Sequence, residues 1–427
     1  MTWITAPLRK VAPAVPAQIA FAPNDHVWQL SLDQIESGTG VIIGKRYAAA
    51  SDAGTSTFNF DTGNVLYSKL RPYLNKVVIP DEAGFATTEL IPLRPDPKAL
   101  NPRFLAYYLR SPGFVNKASH HVAGAKMPRV VMDWFWAHEM PIPAPKEQSR
   151  IVELLDEADR LRRLRREADA KAARILPTLF LEMFGDPTMN PMIWPERQLS
   201  KVIQSVEAGW SAPSEGRPRK GDEYGVLKVS AVTSGVFRPE ENKVVMNVDG
   251  ARSLISPKRG DLLFSRANTR ELIAATCVVE SNYKNLFLPD KLWRLTPIPG
   301  EASGVFLKEL FWRDGIRDKF RAASSGSSGS MLNISQDAML RTTVPVPPFH
   351  LQERFESLAW SVVEALNRAK YAAEGVDSMW LNLLQRAFSG QLTAKWREAH
   401  MRELLAEMEQ QARALNLPIP KELETWS

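Results

Sequence analysis

The sequence contains very little cysteine, since Cys277 is the only one among 427 residues. A single thiol excludes a disulfide framework and any zinc site that needs several cysteine ligands. Long apolar runs are also missing, and none approaches the roughly 18 residues that a membrane span requires. The N-terminal segment MTWITAPLRKVAPAVP is interrupted by charge and proline before an apolar signal core is complete. We therefore expect a cytoplasmic protein that does not associate with a membrane.

The composition is typical of soluble globular proteins, with 44% hydrophobic and 24% charged residues. The length corresponds to roughly three domains at about 150 residues per domain. Lys and Arg exceed Asp and Glu by 54 to 48, which gives a formal net charge of +6. This modest excess is compatible with an acidic partner but does not identify one.

One segment of the sequence occurs twice, at an offset of 204 residues. Residues 140–155 read MPIPAPKEQSRIVELL, and residues 344–359 read VPVPPFHLQERFESLA. Five of these 16 aligned positions are identical, whereas about one identity is expected from average residue usage. The same offset aligns Met127 with Met331 and Phe184 with Phe388. Because solenoid repeats are only about 20 to 50 residues long, this offset predicts a duplicated domain with a connector.

Upstream of this repeat the two halves are similar at a slightly different offset. GNVLYSKLRPYLNKV at 63–77 aligns with GDLLFSRANTRELIA at 260–274, at an offset of 197. Short β-rich runs between Gly, Pro and Asn residues alternate with helical stretches such as PRFLAYYLRS and VFLKELFWRDGIRDKF. This alternation predicts an α+β fold for each globular part, built on one frame with different residues inside it.

A long amphipathic helix is predicted after each proline-rich turn, over 147–184 and over 350–388. Apolar residues recur there at steps of three or four, which gives each helix one apolar face. The two faces can cover each other, and the alternative is that each helix lies on its own domain. Pro177 and Gly375 are expected to kink or weaken the helices, because proline lacks a backbone donor and glycine lacks backbone stiffness.

In their order and duplication, these segments resemble the specificity subunits of type I restriction-modification systems. The resemblance rests on the similar segments at 63–77 and 260–274, on MLNIS at 331–335, on the repeated Pro-x-Pro…Gln-x-Arg turns, and on FSGQLTAKWREAH at 388–400. It extends over nearly the whole chain. The first half has MPRVV at 127–131 in place of MLNIS, so the loop chemistry is expected to differ between the halves.

The resemblance implies an α+β protein in which two long antiparallel, coiled-coil-like helices separate two pseudo-symmetric target-recognition domains. A helix of this predicted length spans about 57 Å, enough to place two DNA readers one helical turn of DNA apart. Packing beside the first domain and contact with a partner are both open for the C-terminal tail. The implied segments are target-recognition domain 1 at 1–145, spacer helix 1 at 146–185, target-recognition domain 2 at 186–349, spacer helix 2 at 350–388 and an amphipathic tail at 389–427.

The resemblance also implies a non-catalytic subunit that recognises a bipartite sequence in double-stranded DNA. In this family, two modification subunits carry out methyl transfer, and restriction subunits carry out ATP-driven translocation and cleavage. This chain would then supply sequence specificity and a scaffold, without a cofactor or a metal of its own. The excess of Lys and Arg lies in 1–145 and 186–349, which agrees with DNA binding by the globular segments.

Candidate DNA-binding residues lie in the two similar segments and in the loops downstream of them. Arg can donate two hydrogen bonds to guanine and Asn can pair similarly with adenine, while Lys and Ser suit phosphates. The alternative for any single residue is a solvated charge at a strand end. The candidates are Lys69, Arg71, Tyr73, Lys76, Lys126, Arg129, Arg266, Asn268, Arg270, Ser328, Ser330 and Asn333.

The duplicated proline turns are the candidate docking sites for modification subunits. Two copies of one surface would hold two copies of one partner. The alternative is that the prolines only set the direction in which each helix begins. The candidate partner-binding residues are Pro141, Pro143, Gln148, Pro345, Pro347 and Gln352.

No catalytic constellation is visible in the sequence. GTGVIIGKR at 38–46 lacks the spacing of a phosphate-binding loop, and VPPF at 346–349 has Val346 where amino-methyltransferases have a polar residue. His120 and His121 are adjacent and point in different directions in any regular element, which favours surface or packing roles over a metal site. Three alternatives stay open: an enzyme with a degenerate motif, a coiled-coil scaffold, and an orphan DNA-binding protein without an active restriction-modification partner.

Overall fold

The computed structural model describes residues 3–54, 56–246, 254–326 and 331–418. The chain divides into two units. Unit 1 comprises Met1–Arg166 and Ala372–Ser427, and unit 2 comprises Glu167–Tyr371. Both division points lie inside long helices, so each of these helices contributes one segment to each unit.

The strands are short, and most of them are bounded by turns rich in Gly, Pro and Asn. In chain order they are β1 (Ile4–Pro7), β2 (His26–Leu30), β3 (Tyr47–Ala49), β4 (Thr57–Phe60), β5 (Val65–Ser68), β6 (Val77–Val78), β7 (Gly84–Thr87), β8 (Leu90–Leu93), β9 (Val122–Ala123), β10 (Arg129–Val130), β11 (Glu139–Ile142), β12 (Glu196–Gln198), β13 (Ile203–Ala208), β14 (Tyr224–Leu227), β15 (Asn242–Val245), β16 (Leu262–Ser265), β17 (Ala267–Asn268), β18 (Thr276–Val278), β19 (Leu286–Phe287), β20 (Leu292–Pro297), β21 (Leu332–Asn333) and β22 (Thr343–Pro345).

The helices differ widely in length. In chain order they are α1 (Leu8–Val11), α2 (Pro102–Arg110), α3 (Pro112–His120), α4 (Met132–Ala137), α5 (Pro145–Ala172), α6 (Ile175–Phe184), α7 (Gly304–Phe311), α8 (Asp314–Ala322), α9 (Gln336–Arg341), α10 (Phe349–Phe388), α11 (Ala394–Ala399) and α12 (Met401–Ala414). None of the helices in the described ranges is both long and apolar enough to cross a membrane.

Each unit contains a four-stranded and a three-stranded sheet. Unit 1 has the strand orders β3-β2-β7-β4 and β6-β5-β8, and unit 2 has β13-β20-β16-β18 and β15-β14-β19. Strands β5 and β16 are central in their sheets, and all four residues of each are buried. The continuous apolar runs VLYS and LLFS therefore form strands covered on both faces. Both units thus have mixed helix and strand content, as the α+β pattern predicts.

Two helices pack beside the central strand in each unit. The helices of unit 2 begin 202 residues after the corresponding helices of unit 1. In unit 1 these are α2 and α3, and in unit 2 they are α7 and α8. The side chains of Asn101 and Ser303 accept hydrogen bonds from backbone N–H groups in the first turns of α2 and α7, which satisfies donors that lack helical partners. The same supersecondary unit is therefore built twice.

The first long helix is interrupted, whereas the second is continuous. Helix α5 ends at Ala172 and α6 begins at Ile175. Pro177 accounts for the break, because its ring lacks an N–H and clashes with the carbonyl four residues earlier, that of Ala173. Gly375 does not interrupt α10. The segment predicted as one helix over 147–184 therefore consists of two helices, divided just before the proline that was expected to kink it.

Each of the two proline turns is held in place by its own buried glutamine. In unit 1, Gln148 Oε1 accepts from Asn101 N at 2.8 Å, and its Nε2 donates to the carbonyl oxygens of Ala99 and Pro143, each at 2.8 Å. In unit 2, Gln352 makes the same three bonds, with Ser303 N at 3.0 Å and the carbonyls of Glu301 and Pro347 at 3.2 and 2.8 Å. The glutamines that the sequence alignment pairs thus have one structural role.

Helix α12 of the C-terminal segment packs against the N-terminal part of unit 1. Leu404, Met408 and Ala412 of α12 form a buried cluster with Ile4 of β1 and with Ala144, which follows β11. Gln411 Nε2 donates to the carbonyls of Ala99 and Pro143, at 2.7 and 3.1 Å. These are the same two carbonyls that Gln148 binds. In unit 1 the side-chain amides of Gln148 and Gln411 therefore both donate to these two carbonyls, whereas in unit 2 the amide of Gln352 donates to the corresponding pair.

This difference predicts unequal effects of glutamine substitutions on stability. We expect Gln352→Ala to lower the free energy of unfolding by about 2 kcal/mol, because two buried carbonyls and one N–H lose their partner. Gln148→Ala and Gln411→Ala should each cost about 1 kcal/mol, since the other amide still binds both carbonyls. The double variant should cost more than the sum of the single variants. Urea unfolding combined with amide hydrogen exchange in α2 and α7 measures these effects, and strict additivity of the two would contradict the assignment.

Candidate nucleic-acid interface

In unit 1, the loop after β5 is joined to the segment around β10 by backbone hydrogen bonds. Lys69 N donates to the Glu89 carbonyl at 3.0 Å, and the Lys69 carbonyl accepts from Val130 N at 2.9 Å. Arg71 N donates to the Pro128 carbonyl at 2.7 Å. Two groups of predicted DNA-binding residues, 69–76 and 126–129, are distant in sequence, and this frame brings them together.

Unit 2 has the same frame. Arg266 N donates to the Lys291 carbonyl at 3.1 Å, and the Arg266 carbonyl accepts from Ile334 N at 2.9 Å. Ala267 pairs with Asn333 in the β17–β21 ladder, just as Leu70 forms a bridge with Arg129 in unit 1. The frame therefore brings Asn333 next to the loop that carries Arg266 and Asn268.

A buried serine fixes the loop in each unit. The Ser68 hydroxyl donates to the Leu70 carbonyl at 3.0 Å, and the Ser265 hydroxyl donates to the Ala267 carbonyl at 3.4 Å. These serines were missed as functional residues by the sequence analysis. The available signal was a polar residue at the same place in two otherwise apolar strands, 197 residues apart.

The side chains displayed on this common frame differ between the units. In unit 1 the Arg129 guanidinium binds the Glu89 carboxylate, with Nε at 3.1 Å from both oxygens and Nη2 at 2.7 Å from Oε1. These hydrogen bonds hold the pKa of Glu89 below its usual value. In unit 2 the corresponding positions carry Asn333 and Lys291, so the acidic partner is replaced by a basic residue. Glu89 was also missed by the sequence analysis, because it lies outside the similar segments.

The other candidate DNA-binding residues in unit 1 differ in how accessible their side chains are. Arg71, Tyr73 and Lys126 are exposed, and Arg71 adopts a left-handed backbone conformation with φ of 49°. Lys69 is half-buried. Lys76 is also half-buried, and its ammonium group donates to the Leu32 carbonyl at 2.6 Å. The Lys76 side chain is therefore held by a backbone contact, whereas Arg71, Tyr73 and Lys126 are open to solvent.

The candidate DNA-binding residues in unit 2 also differ in how exposed their side chains are. Arg266 is half-buried and its Nε donates to the Asp290 carbonyl at 3.1 Å. The Asn268 Oδ1 accepts a hydrogen bond from Thr269 N at 2.9 Å. Arg270 is exposed, and Asn333 is half-buried. Ser328 and Ser330 lie outside the described residues.

The pairing of Arg129 predicts that Glu89 limits DNA affinity. We expect Glu89→Gln to tighten DNA binding several-fold at low salt, because it removes a negative charge and releases the guanidinium for a phosphate contact. The slope of log affinity against log salt should steepen by about one unit. Fluorescence anisotropy across a salt series measures both quantities. Glu153→Gln, an equal charge change on helix α5, is the control, and equal effects of the two substitutions would refute a local role of Glu89.

The candidate partner-binding residues contribute mostly to the interior. Pro143, Pro345 and Pro347 are buried, as are the two glutamines, and Pro141 is half-buried. The exposed side chains beside these turns include Lys146 in unit 1, and Pro348 and His350 in unit 2.

The described residues offer little for metal or thiol chemistry. Among them, no group of three or more His, Cys, Asp or Glu side chains is arranged to hold a metal ion. His121 stacks on Trp134, with ring centroids 4.5 Å apart. Cys277 is buried, and burial raises the pKa of its thiol.

Residues 51–171 match the family model described as a type I restriction modification DNA specificity domain. This range contains β5, the loop that follows it, and β10, which together form the unit 1 frame. This part of the chain is thus a type I restriction-modification DNA specificity domain. The resemblance inferred from the sequence is thereby confirmed.

Several members of the specificity-subunit family are similar to this chain. The EcoEI specificity subunit of Escherichia coli is 27% identical over 198 residues, which cover 46% of this chain and 33% of that protein. The EcoKI specificity subunit of E. coli strain K12 is 25% identical over 328 residues, which cover 71% of this chain and 68% of that protein. The match to EcoEI thus spans only a third of that relative.

Two solved structures have the same fold. The type I restriction-modification S subunit from M. genitalium superposes with a TM-score of 0.55 at 12% identity, over 90% of this chain and 96% of that one. A chain from a structural study of complex assembly and conformational transition of a type I system superposes with a TM-score of 0.54 at 18% identity, over 92% of this chain and 98% of that one. At these identities the likeness concerns the fold.

Proposed function

We propose that this chain is a non-catalytic DNA specificity subunit that recognises a split target sequence in double-stranded DNA. The observation that carries the proposal is the duplicated backbone frame with different side chains on it. Equivalent backbone hydrogen bonds at Lys69 and Arg266 hold Arg129 and Glu89 in one unit, and Asn333 and Lys291 at the corresponding positions of the other. A constant frame with variable donors and acceptors is what reading two different base sequences requires.

Each half-site would be read by one globular segment, 1–145 or 186–349. The exposed Arg71 and Arg270 suit contacts in a groove, whereas Lys126 suits a phosphate. Arg129, Asn268 and Asn333 have the donors that base edges need. The remaining proposed contacts are Lys69, Tyr73, Lys76, Arg266, Ser328 and Ser330.

The segments 146–185 and 350–388 would form an antiparallel spacer between the two readers. Within unit 1, Arg162 of α5 contacts Asp377 and Trp380 of α10, with a 3.1 Å ion pair. Within unit 2, Phe180 and Phe184 of α6 pack on Phe355 of α10. Low residue numbers of one segment thus meet high numbers of the other, as an antiparallel pair requires.

Two modification subunits would bind at the two proline turns, and restriction subunits would join that complex. In this scheme Gln148 and Gln352 shape the docking surface from within, together with Pro141, Pro143, Pro345 and Pro347. The exposed Lys146 and its counterpart at the offset of 204, the exposed His350, lie at matching positions of the two turns. The ammonium group of Lys146 forms an ion pair with Glu403 of α12 at 2.9 Å.

Methyl transfer assays test this division of labour. The purified chain, incubated with DNA and S-adenosylmethionine, should transfer no methyl groups, and adding the cognate modification subunits should restore transfer. Genome-wide methylation mapping should then find a bipartite motif that disappears when this chain is deleted. Methyl transfer by the chain alone, or an uninterrupted motif, would refute the proposal.

A further inference from the structure

One residue is the same in two loops that otherwise differ. The segments MPRVV at 127–131 and MLNIS at 331–335 share only their first residue, Met127 and Met331. Both segments hold the same place in the frame, because Val130 N and Ile334 N donate to the carbonyls of Lys69 and Arg266. The residues that differ include Arg129 and Asn333, which are proposed to read different sequences, so the common residue calls for a role that both halves need.

Neither methionine is used to build the core of its unit. Met127 is 46% exposed and Met331 is 51% exposed, and neither belongs to a hydrophobic cluster of the described residues. A large apolar side chain in water gives up the free energy that burial would provide. The two methionines are thus available for an apolar contact outside the chain.

The surroundings of the two methionines distinguish a shared role from a local apolar patch. Val122 and Val131 are also exposed near Met127. Their counterparts at an offset of 204 are Gly326 and Ser335, which offer little apolar surface. Val130 and Ile334 are apolar in both loops but buried, so the exposed apolar side chain common to both loops is the methionine alone.

The frame sets each methionine next to the proposed readers. The residue after Met127, Pro128, accepts a hydrogen bond from Arg71 N, and Arg129 follows. The Met331 carbonyl lies 3.5 Å from the Asn333 amide, and Asn333 pairs with Ala267. Any DNA that reaches Arg129 or Asn333 therefore also meets the adjacent methionine.

We infer that Met127 and Met331 are apolar wedges, one in each half, that insert against a base step of the DNA and anchor the reader beside it. Methionine is among the side chains that proteins insert between base pairs, and its flexible thioether adapts to irregular apolar surfaces. A base step offers an apolar face whatever its sequence, which explains why this residue is common to loops with different readers. This inference rests on the proposed function.

Four single substitutions in the full chain, complexed with its modification subunits, test the inference. The probe is a 30-base-pair duplex that carries the sequence selected from random DNA by the wild-type complex. We expect Met127→Ala and Met331→Ala each to weaken binding about tenfold, the amount expected for the loss of a buried apolar side chain. The slope of affinity against salt should not change, because no phosphate contact is lost. Met127→Leu and Met331→Leu should bind within twofold of the wild type.

Matched controls are available in each unit. Met379 is 48% exposed on helix α10 and Met189 is 78% exposed after α6, and both lie outside the proposed interface. Met379→Ala and Met189→Ala should leave DNA binding unchanged. Thermal unfolding of each variant identifies any that has lost its fold. In that case Met127→Gln and Met331→Gln, which keep the side-chain length but not its apolar character, replace the alanine variants and should weaken binding in the same way.

A second readout locates the wedge. With 2-aminopurine placed in turn along the duplex, the wild-type complex should raise the fluorescence at one step in each half-site. Met127→Ala should abolish the increase in one half-site, and Met331→Ala in the other. Alanine variants that match the controls in affinity and fluorescence would overturn the inference. So would a loss of modification-subunit capture without any change in fluorescence, which would assign the methionines to a protein interface. A wild-type complex that selects no DNA sequence would instead refute the proposed function.

Discussion

Replacing residues 186–349 with the corresponding segment of another specificity subunit should change one half of the methylated sequence and leave the other half intact. The reason is that the residues proposed to read the two half-sites lie on separate segments, each of which has its own copy of the backbone frame. The first junction falls just after Gly185, whose φ of 73° ends helix α6, and the second falls at the start of α10. Neither junction cuts a sheet of unit 2.

The donor segment must also preserve one packing contact. Phe306 of α7 stacks on Phe180 of α6, which lies outside the replaced segment. A donor with an aromatic or large aliphatic residue at that position keeps the core filled. Methylation sequencing of the host genome measures the outcome, and the reciprocal replacement of 1–145 is the control, which should alter only the opposite half. A change in both halves after either replacement would show that the readers are not modular.

The largest expected effect on stability concerns Glu147, which is completely buried at the start of helix α5. Its Oε1 accepts from the Thr393 hydroxyl at 2.6 Å and from Arg397 Nε at 2.8 Å, and its Oε2 accepts from Trp3 Nε1 at 2.9 Å. One carboxylate thus joins the N-terminal segment, the long helix and the C-terminal tail.

We expect Glu147→Ala to lower the free energy of unfolding by about 3 to 5 kcal/mol, because it leaves the largely buried Arg397 charge without its partner. Glu153→Ala is the control. It removes an exposed ion pair with Arg150 and should cost less than about 1 kcal/mol. Urea unfolding at neutral pH measures both.

A double variant separates the loss of a partner from the loss of packing. Leu351 stands in the second half where Glu147 stands in the first, at the offset of 204. An apolar residue is therefore compatible with this position of the frame. Glu147→Leu combined with Arg397→Met should recover part of the stability that the single substitution loses, because no buried charge is then unpaired. A double variant less stable than Glu147→Ala would contradict this account.

The duplicated frame was predictable because it depends on local patterns. The apolar runs of β5 and β16, the proline turns and the amphipathic helices each have a signal within a few residues of sequence. The two offsets, 197 and 204, pair the strands β5 and β16 and the glutamines Gln148 and Gln352 from the sequence alone. Pro177 made the break in the first long helix predictable, because the effect of proline on a helix depends only on its covalent geometry.

What the sequence did not reveal are contacts between distant segments. Glu89 binds Arg129, 40 residues away, and no local pattern distinguishes it from any other surface glutamate. Gln148 and Gln352 were proposed as partner contacts because the turns and helix starts that carry them are duplicated, and the repeat did not reveal that their side chains bind the interior backbone. Glu147 finds Arg397 250 residues later in the chain. Such pairs are specified by the fold, which a reading of short segments does not contain.

The division of the long helices has a consequence for the order in which the protein is made. Unit 2 is one continuous stretch, from Glu167 to Tyr371, so all its contacts can close as soon as that stretch has left the ribosome. Unit 1 is built from two stretches, and its core includes Trp380, Leu384 and Ala387 from the end of α10. The half that is synthesised first is therefore completed last, and its exposed core must be kept from aggregation while about 200 further residues are translated, a period of roughly 10 to 40 s.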